Sequence, residues 1–261
     1  MGTHWYRFED GRPCYEVPNK STGGMRDVTL RDARTLGLVP SVTTILQEAA
    51  RPALVNWQIE QALMAALTLP RRPDEPLDHF IHRAREDSKQ QAINAADRGS
   101  EIHTAVEAYY RGHRVSDADL PFVLPIVAKV QELCGNQAWV PEAHFAHQVA
   151  GFGGKVDLHS EVAVIDFKGK DGLAYNTKRL AYDEHAMQLA AYRVGLKLAN
   201  ARLNARAINI FFDRQVPGVV VAHEWPVESL PDYYARFSCL LEYWKRRNRY
   251  WPEREAQQVA A

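Results

Sequence analysis

Three side chains in the segment from Gly151 to Lys168 have the types and spacing that hydrolysis of a phosphodiester requires. Asp166 and Lys168 are separated by the single residue Phe167, and Asp157 precedes them in the same segment. Two carboxylates can hold a divalent metal ion, and a lysine beside them can orient the attacking water. The segment therefore predicts a hydrolytic site, provided that the fold brings the three side chains together.

Two short strands joined by a turn are expected to position these side chains. Asp157 lies between the apolar Val156 and Leu158, and the residues around Asp166 and Lys168 alternate in the same way, which is the period of a strand. A two- or four-residue loop would place both aspartates on one face, whereas a three-residue loop would place them on opposite faces. The alternative is a half-buried hairpin whose outer face is merely charged, since an isolated D-x-K is weak evidence.

Other polar residues recur at helical or strand spacing on either side of this hairpin. His103 and Glu107 stand four apart in an amphipathic helical pattern, and Gln188 and Tyr192 stand four apart in a second one, so that each pair shares a helix face. Glu142 lies in the strand-like stretch VPEAHFAHQV. A lone helical histidine is more often a packing or surface residue than a ligand. These residues are candidate site residues only because of the order in which they occur along the chain.

In that order, the chain resembles the PD-(D/E)xK nuclease superfamily, in its RecB-like exonuclease branch. The third acidic motif reads D-x-K here, where many members have E-x-K, and both forms occur in the superfamily. The segment PSVTTIL also resembles the opening of mitochondrial genome maintenance exonucleases and of related phage and bacterial proteins. The resemblance covers most of residues 40 to 195, and its elements in chain order are Pro40 to Leu46, Trp57, His103, Glu142, Asp157, Asp166-Phe167-Lys168, Gln188 and Tyr192.

The resemblance implies a metal-dependent deoxyribonuclease that prefers single-stranded ends, with one or two Mg²⁺ or Mn²⁺ ions. His103, Asp157, Asp166 and the Phe167 carbonyl would be the metal ligands. It assigns to Lys168 the role of orienting or activating the attacking water. The remaining implied catalytic residues are Glu142, which would support a second metal or the water network, and Gln188 and Tyr192, which would position catalytic elements or the DNA backbone.

DNA is the expected partner, and the loop after the D-x-K strand is the expected contact. Basic and amide side chains crowd this loop, and loops commonly carry function. Trp57 could stack on a base, because stacking tolerates any sequence, although most such aromatics belong to a core. A recombination or repair protein is a further expected partner. The predicted DNA-binding residues are Lys170, Asn176, Lys178, Arg179 and Trp57.

Composition narrows the class of protein without identifying it. The chain has 261 residues, with 32 basic and 32 acidic side chains, so affinity for DNA would depend on a local groove rather than on net charge. No apolar run reaches the length of a membrane span, and no membrane partner is expected. Three scattered cysteines indicate a reducing, cytoplasmic location, and they are too few for a four-cysteine iron-sulfur cluster. The resemblance implies a bacterial or phage-encoded protein.

The periodicity predicts an α/β fold, with helices on a mixed sheet. Helices are predicted near residues 43–67, 77–110, 118–134, 183–199 and 229–250, and strands near 140–149, 154–159, 163–167, 205–212 and 219–225. The resemblance makes this a restriction-endonuclease-like mixed β-sheet core flanked by helices, with an α-helical N-terminal arch. A single domain would comprise N-terminal strands at 1–40, a helical arch or wall at 41–138, a catalytic core at 139–225 and a C-terminal helix and tail at 226–261.

Two other functions agree with the same residues. A structure-selective endonuclease would use the same chemistry, because the fold does not determine where a strand is cut. A DNA-binding subunit that does not cleave is the second alternative, although the presence of both aspartates and the lysine argues against it.

Overall fold

The computed structural model describes residues 4–19, 21–50, 52–177, 180–199 and 204–253. Its N-terminal region contains, in chain order, β1 (Trp5–Arg7), β2 (Glu16–Pro18), β3 (Met25–Asp27), α1 (Leu30–Leu36), β4 (Leu38–Pro40) and α2 (Val42–Leu46). β1 pairs with β4, and β2 pairs with β3, in two small antiparallel sheets. Within residues 1–40, where the sequence predicted strands, α1 is an unpredicted helix, whereas α2 lies in the helix predicted near residues 43–67.

The helix missed in this region is α1, and local capping explains it. The Thr29 side chain accepts a hydrogen bond from the Asp32 backbone amide, and the Asp32 carboxylate accepts one from the Thr29 backbone amide. Gly37 ends the helix in the left-handed conformation at φ 62°. These signals stabilise both ends of a short helix. Seven residues are too few to show a helical apolar period, so the periodicity overlooked them.

Three longer helices follow: α3 (Pro52–Thr68), α4 (Leu77–Tyr110) and α5 (Leu120–Cys134). α3 packs against α4 as a helical hairpin. At 34 residues, α4 is about 50 Å long. Its buried residues are Ala84 and, near its C-terminus, Ile102, Ala105 and Val106. The C-terminal end of α4 thus lies against the core, while its N-terminal half and α3 extend away from it.

The remaining elements build the sheet and the helices that cover it. They are β5 (Val140–His147), β6 (Phe152–His159), β7 (Ala163–Lys170), α6 (Asp183–Gly195), β8 (Arg206–Asp213), β9 (Val220–Trp225) and α7 (Leu230–Asn248), with a 3-10 turn at Val227–Ser229 before the last helix. The strand order is β5-β6-β7-β8-β9. β7 and β8 are parallel and joined through α6, and the other neighbours are antiparallel.

Helices cover both faces of this sheet. Neighbouring residues of β7 enter different cores, because Val164 packs with α2, α6 and α7, and Ile165 packs with the C-terminal end of α4 and with α5. Strands covered on both faces contain continuous apolar runs, such as Ala163–Ile165 in β7 and Ile210–Phe212 in β8. The structure confirms the predicted mixed α/β fold. Among the helices of the described ranges, none combines the length and the apolar character needed to cross a membrane.

Candidate active site

The candidate site lies where β6 and β7 separate. Their ladder contains the pairs His159–Val164 and Leu158–Ile165, and Ser160 donates to the Ala163 carbonyl across a two-residue loop. Of the loops considered from the sequence, the two-residue loop is the one found. The ladder ends at the pair Leu158–Ile165, so Asp157 and Asp166 are the first residues of the two strands beyond the last paired position.

The Asp157 carboxylate replaces a backbone partner at this separation. In the register of the hairpin, the Phe167 amide would donate to the carbonyl of Val156. It donates instead to Asp157 Oδ2, at 2.8 Å. Because the amide and carbonyl of one strand residue point to the same side, the Phe167 carbonyl is also directed toward β6. We call this opening between the two strands the fork.

A row of polar residues crosses the sheet at the level of the fork. On β5 and β6, Glu142 lies opposite Asp157, since the flanking pairs are Pro141–Leu158 and Ala143–Val156. On the other side, Asp166 pairs with Asn209 in β8 and Asn209 pairs with His223 in β9. We call this set the polar row; its members in strand order are Glu142, Asp157, Asp166, Asn209 and His223.

Hydrogen bonds fix the Asp166 carboxylate, which is only 2% exposed. Lys168 Nζ lies 2.8 Å from Oδ1, Gln188 Nε2 donates to Oδ1 at 3.0 Å, and Asn209 Nδ2 donates to Oδ2 at 2.7 Å. Asn209 Oδ1 in turn accepts from Trp225 Nε1 at 2.8 Å. The carboxylate is therefore held in one orientation from both α6 and β8.

Lys168 and Tyr192 complete this network on the side of α6. Lys168 Nζ donates to Gln188 Oε1 at 3.1 Å, and Gln188 Nε2 lies 2.9 Å from the Tyr192 hydroxyl. The two predicted residues of α6 thus reach the site in the manner expected from their four-residue spacing. Tyr192 can pack there because Gly154 lacks a side chain: a Cβ at Gly154 would lie 2.9 Å from Tyr192 Cε1.

His103 reaches the fork from the other face of the sheet. It lies on α4 with Nδ1 3.5 Å from Asp157 Oδ2, and its ring makes edge contacts with Phe167 and Phe212. Burial, followed by the positive charge of Lys168, lowers the pKa of His103 to about 4. The imidazole is therefore neutral near pH 7, which is the form that coordinates metals.

Burial is the main electrostatic cost of the site. Burial raises the pKa of both Asp157 and Asp166. The negative charge of Asp157 raises the pKa of Asp166 further. Lys168 opposes both shifts. Two carboxylates held close together away from water favour the binding of a positive charge between them.

Glu142 occupies an unusual backbone conformation beside Asp157. Its φ is 53°, in the left-handed region that strand residues other than glycine seldom adopt. Its carboxylate forms an ion pair with Lys155 of β6. Burial raises the pKa of Glu142, and the charge of Asp157 raises it further. Such strained residues are concentrated at functional sites.

The predicted DNA-binding residues are distributed over three places. Lys170 ends β7 with Nζ 5.7 Å from the centre of the Tyr182 ring, and burial together with Lys168 and Arg214 lowers its pKa. Asn176 lies in the exposed loop that follows. Trp57 is half-buried on α3, which packs on α4 rather than on the sheet. The two other predicted contacts, Lys178 and Arg179, lie outside the described residues.

The donor set at the fork suits Mg²⁺ or Mn²⁺. Carboxylate and carbonyl oxygens are what these ions prefer, and Mn²⁺ also accepts an imidazole. Within the described residues Asp157 accepts one hydrogen bond, through Oδ2, which leaves Oδ1 for another partner. In the conformation described, no three or more His, Cys, Asp or Glu side chains of these ranges form a metal-holding group. Asp166 is instead engaged by Lys168.

Sequence reasoning missed three residues that hold the site together: Lys155, Asn209 and Trp225. For Asn209 a signal was available, because it is a single amide in the otherwise apolar run AINIFF of β8. A polar residue in the middle of a fully buried strand requires a partner. Asn209 is 0% exposed, and its partners are Asp166 and the Trp225 indole.

Comparisons with known proteins add little to this description. No protein-family model matches the chain, and no curated protein matches it. One similar solved structure is titled "Crystal structure of SSO0001", with 13% sequence identity and a TM-score of 0.31 over 72% of this chain and 86% of that chain. The class that fold and site define is thus a mixed α/β protein with a buried carboxylate–lysine centre at a fork in its sheet.

Proposed function

We propose that this protein is a metal-dependent deoxyribonuclease that hydrolyses phosphodiester bonds and prefers single-stranded ends. The observation that carries the proposal is the polar row with Lys168 beside it. Glu142, Asp157 and Asp166 bring three carboxylates to one level of the sheet, next to a lysine amine. This arrangement supports assignment to the PD-(D/E)xK superfamily, with the mixed sheet as its restriction-endonuclease-like core.

The residues that would hold Mg²⁺ or Mn²⁺ are Asp157, Asp166, His103 and the Phe167 carbonyl. When bound, one or two such ions supply the electrostatic stabilisation that the phosphoryl group needs as it is attacked. Because the two aspartates are buried, bulk water screens their charges less, and their interaction with a cation is stronger. Glu142 adds a third carboxylate from β5.

Lys168 would hold the attacking water. An ammonium group has three donors. Two of them are directed at the Asp166 carboxylate and at Gln188 Oε1, so a third remains for a water molecule or a phosphate oxygen. The side chain is 26% exposed, so the amine can be reached from the solvent side of the fork. Asp166 and Gln188 fix the direction in which this donor points.

The preference for single-stranded ends is supported by the helical hairpin of α3 and α4 and by the loop after β7. His103 lies on the same continuous helix as the projecting half of α4, so the hairpin is attached directly to the site. Lys170 adds a cation next to Lys168, which favours a phosphate there. Binding of DNA would be sensitive to salt in proportion to the phosphates contacted.

The test is incubation of the purified protein with end-labelled linear single strands, duplexes and closed single-stranded circles. Each substrate is combined with Mg²⁺, Mn²⁺ or EDTA, and with the Asp166→Ala and Lys168→Ala variants in parallel. Metal-dependent loss of linear single strands alone, absent from both variants, is the expected result. Circular dichroism and thermal unfolding establish that each variant is folded.

Other outcomes lead to the two alternatives. Cleavage of the circle would make the protein an endonuclease, because a strict exonuclease requires an end. Binding of DNA without any metal-dependent product would indicate a non-cleaving subunit of a repair or recombination complex. Full activity of Lys168→Ala would overturn the assignment itself.

A further inference from the structure

The outer side of α3 carries a stripe of exposed apolar side chains. Val55, Ile59, Leu63 and Leu67 follow one another at four-residue intervals and are 50%, 52%, 57% and 86% exposed. Because four residues correspond to slightly more than one helical turn, the four side chains lie along one side of the helix. Among the α3 side chains that the structure describes, Ala65 is the buried one, and it points in another direction. We call these four side chains the α3 stripe.

The stripe continues at the tip of the helical hairpin. α3 ends at Thr68 and α4 begins at Leu77, so both termini lie at the same end of the pair. Leu77 and Ile81 at the start of α4 are 61% and 49% exposed. Apolar side chains scattered singly over a surface need no explanation, whereas a contiguous patch indicates an interaction.

Charge restricts what could cover this surface. Glu60 is the single charged residue between Pro52 and Thr68, and the helix has no lysine or arginine. A helix that lies on an anionic membrane, or one that follows a phosphate backbone, carries basic side chains. An uncharged apolar stripe instead suits another uncharged apolar surface.

The size of the surface is that of a protein–protein interface. The six side chains of the stripe and of the hairpin tip together expose on the order of 700 Å², near the ~800 Å² that each partner contributes to a stable interface. It also exceeds the ~300–600 Å² of the largest apolar patch on a typical monomer. If fully covered, this uncharged surface approaches the area that each partner contributes to a stable interface.

We propose that the α3 stripe, together with the hairpin tip, is a dimer interface, occupied by the same surface of a second copy of this chain. The spacing is symmetric, so two antiparallel copies of α3 related by a two-fold axis would place Val55 against Leu67 and Ile59 against Leu63. Because both copies use the same surface, such a contact forms a dimer and does not continue into a longer assembly. It is independent of the proposed nuclease activity.

Sedimentation velocity of the full chain over a range from about 1 to 100 µM tests the proposal. The wild type should change from monomer to dimer within this range. Leu63→Glu should remain monomeric at concentrations at least tenfold above the wild-type midpoint, because a carboxylate at the centre of the stripe would be desolvated. Val149→Glu is the matched control: Val149 is also 86% exposed and apolar, but lies in the turn between β5 and β6, so the dimer should persist.

A second measurement locates the interface. A mixture of Ile59→Cys and Leu63→Cys proteins should form an intermolecular disulfide faster than the wild type with its native cysteines. A monomeric wild type throughout, an unchanged dimer in Leu63→Glu, or growth beyond two copies would each overturn the proposal. So would loss of single-strand binding in Leu63→Glu with no change in mass, which would assign the stripe to DNA. Thermal unfolding confirms that the variants are folded.

Discussion

The polar row and the α3 stripe depart in opposite ways from the usual distribution of residues in a protein. In the sheet, Asp166 and Asn209 are almost entirely buried, whereas on α3 the aliphatic Leu63 and Leu67 face solvent. Buried polar groups are costly unless they are hydrogen-bonded, and exposed apolar patches favour association. Hydrogen bonds within the protein satisfy the polar row, whereas α3 packs against α4 on one side and leaves the stripe on its other side uncovered. Under the two proposals made above, the first region would serve chemistry within one chain, and the second would serve contact with another copy.

The largest effect is expected at the row, for Lys168→Met. This change keeps most of the aliphatic volume and removes the amine that Asp166 and Gln188 orient. Loss of one preorganised donor lowers turnover by about 10²–10³-fold. Single-turnover hydrolysis of a labelled single strand measures it. Lys129→Met, which removes an exposed ion pair with Glu132, is the control and should leave the rate unchanged.

Equivalent truncations in the two regions should differ strongly in their effect on folding. Leu158→Ala removes a fully buried side chain beside the fork and should lower the free energy of unfolding by about 2–5 kcal/mol. Leu63→Ala, on the stripe, should change it by less than about 0.5 kcal/mol when measured on the monomer. Urea unfolding at low protein concentration compares them. A large loss in Leu63→Ala would mean that the stripe belongs to the core of the monomer.

Variants at Asn209 test whether the hydrogen bonds that orient Asp166 matter for metal binding as well as for stability. Asn209→Leu leaves Trp225 Nε1 without its partner and Asp166 Oδ2 with Lys168 alone, and it should cost about 2–3 kcal/mol of stability. Trp225→Phe removes only the indole donor and should cost about 1 kcal/mol. If Asn209 positions Asp166, Asn209→Leu should also weaken Mn²⁺ binding in calorimetry, whereas Trp225→Phe should weaken it less. Equal Mn²⁺ affinity in both variants would restrict Asn209 to a structural role.

The smallest effect on stability is expected in the segment that connects α3 to α4. Arg83 donates to both oxygens of Glu75, at 2.9 and 2.7 Å, and this lowers the pKa of Glu75 to about 2 from its ordinary value of 4.5. A lowered carboxyl pKa contributes stability that is fully present above pH 4.5 and is lost as the pH falls toward 2. Glu75→Gln should therefore melt below the wild type at pH 7, and the difference should shrink by pH 3. A constant difference would show that the ion pair is not its cause.

Much of the fold was predictable because its elements are long and periodic. α4 has the predicted bounds, and the sheet strands agree to within a few residues. The hairpin that carries Asp157 and Asp166 was predictable, but the length of its loop was not. The alternation of apolar and polar residues sets which face of a strand a residue occupies, but it does not set the number of residues in a turn.

The polar row was not predictable in full, because it depends on registers set by tertiary pairing. Asn209 and Asp166 meet through a parallel pair whose strands are 43 residues apart in sequence. The left-handed backbone of Glu142 has no local signal, since the surrounding residues read as an ordinary strand. Lys155 was missed because its partner becomes a neighbour only when β5 and β6 are aligned.

The fork also bears on aggregation. Open strand edges usually occur at the margins of a sheet, where their unpaired backbone groups can recruit a strand from another molecule. Here the opening lies in the interior, with β5 and β6 on one side and β7, β8 and β9 on the other. The Phe167 carbonyl is directed into this interior opening, where a strand of another molecule cannot pair with it. The proposed site would thus have a backbone oxygen that is not part of an unpaired strand edge at the margin of the sheet.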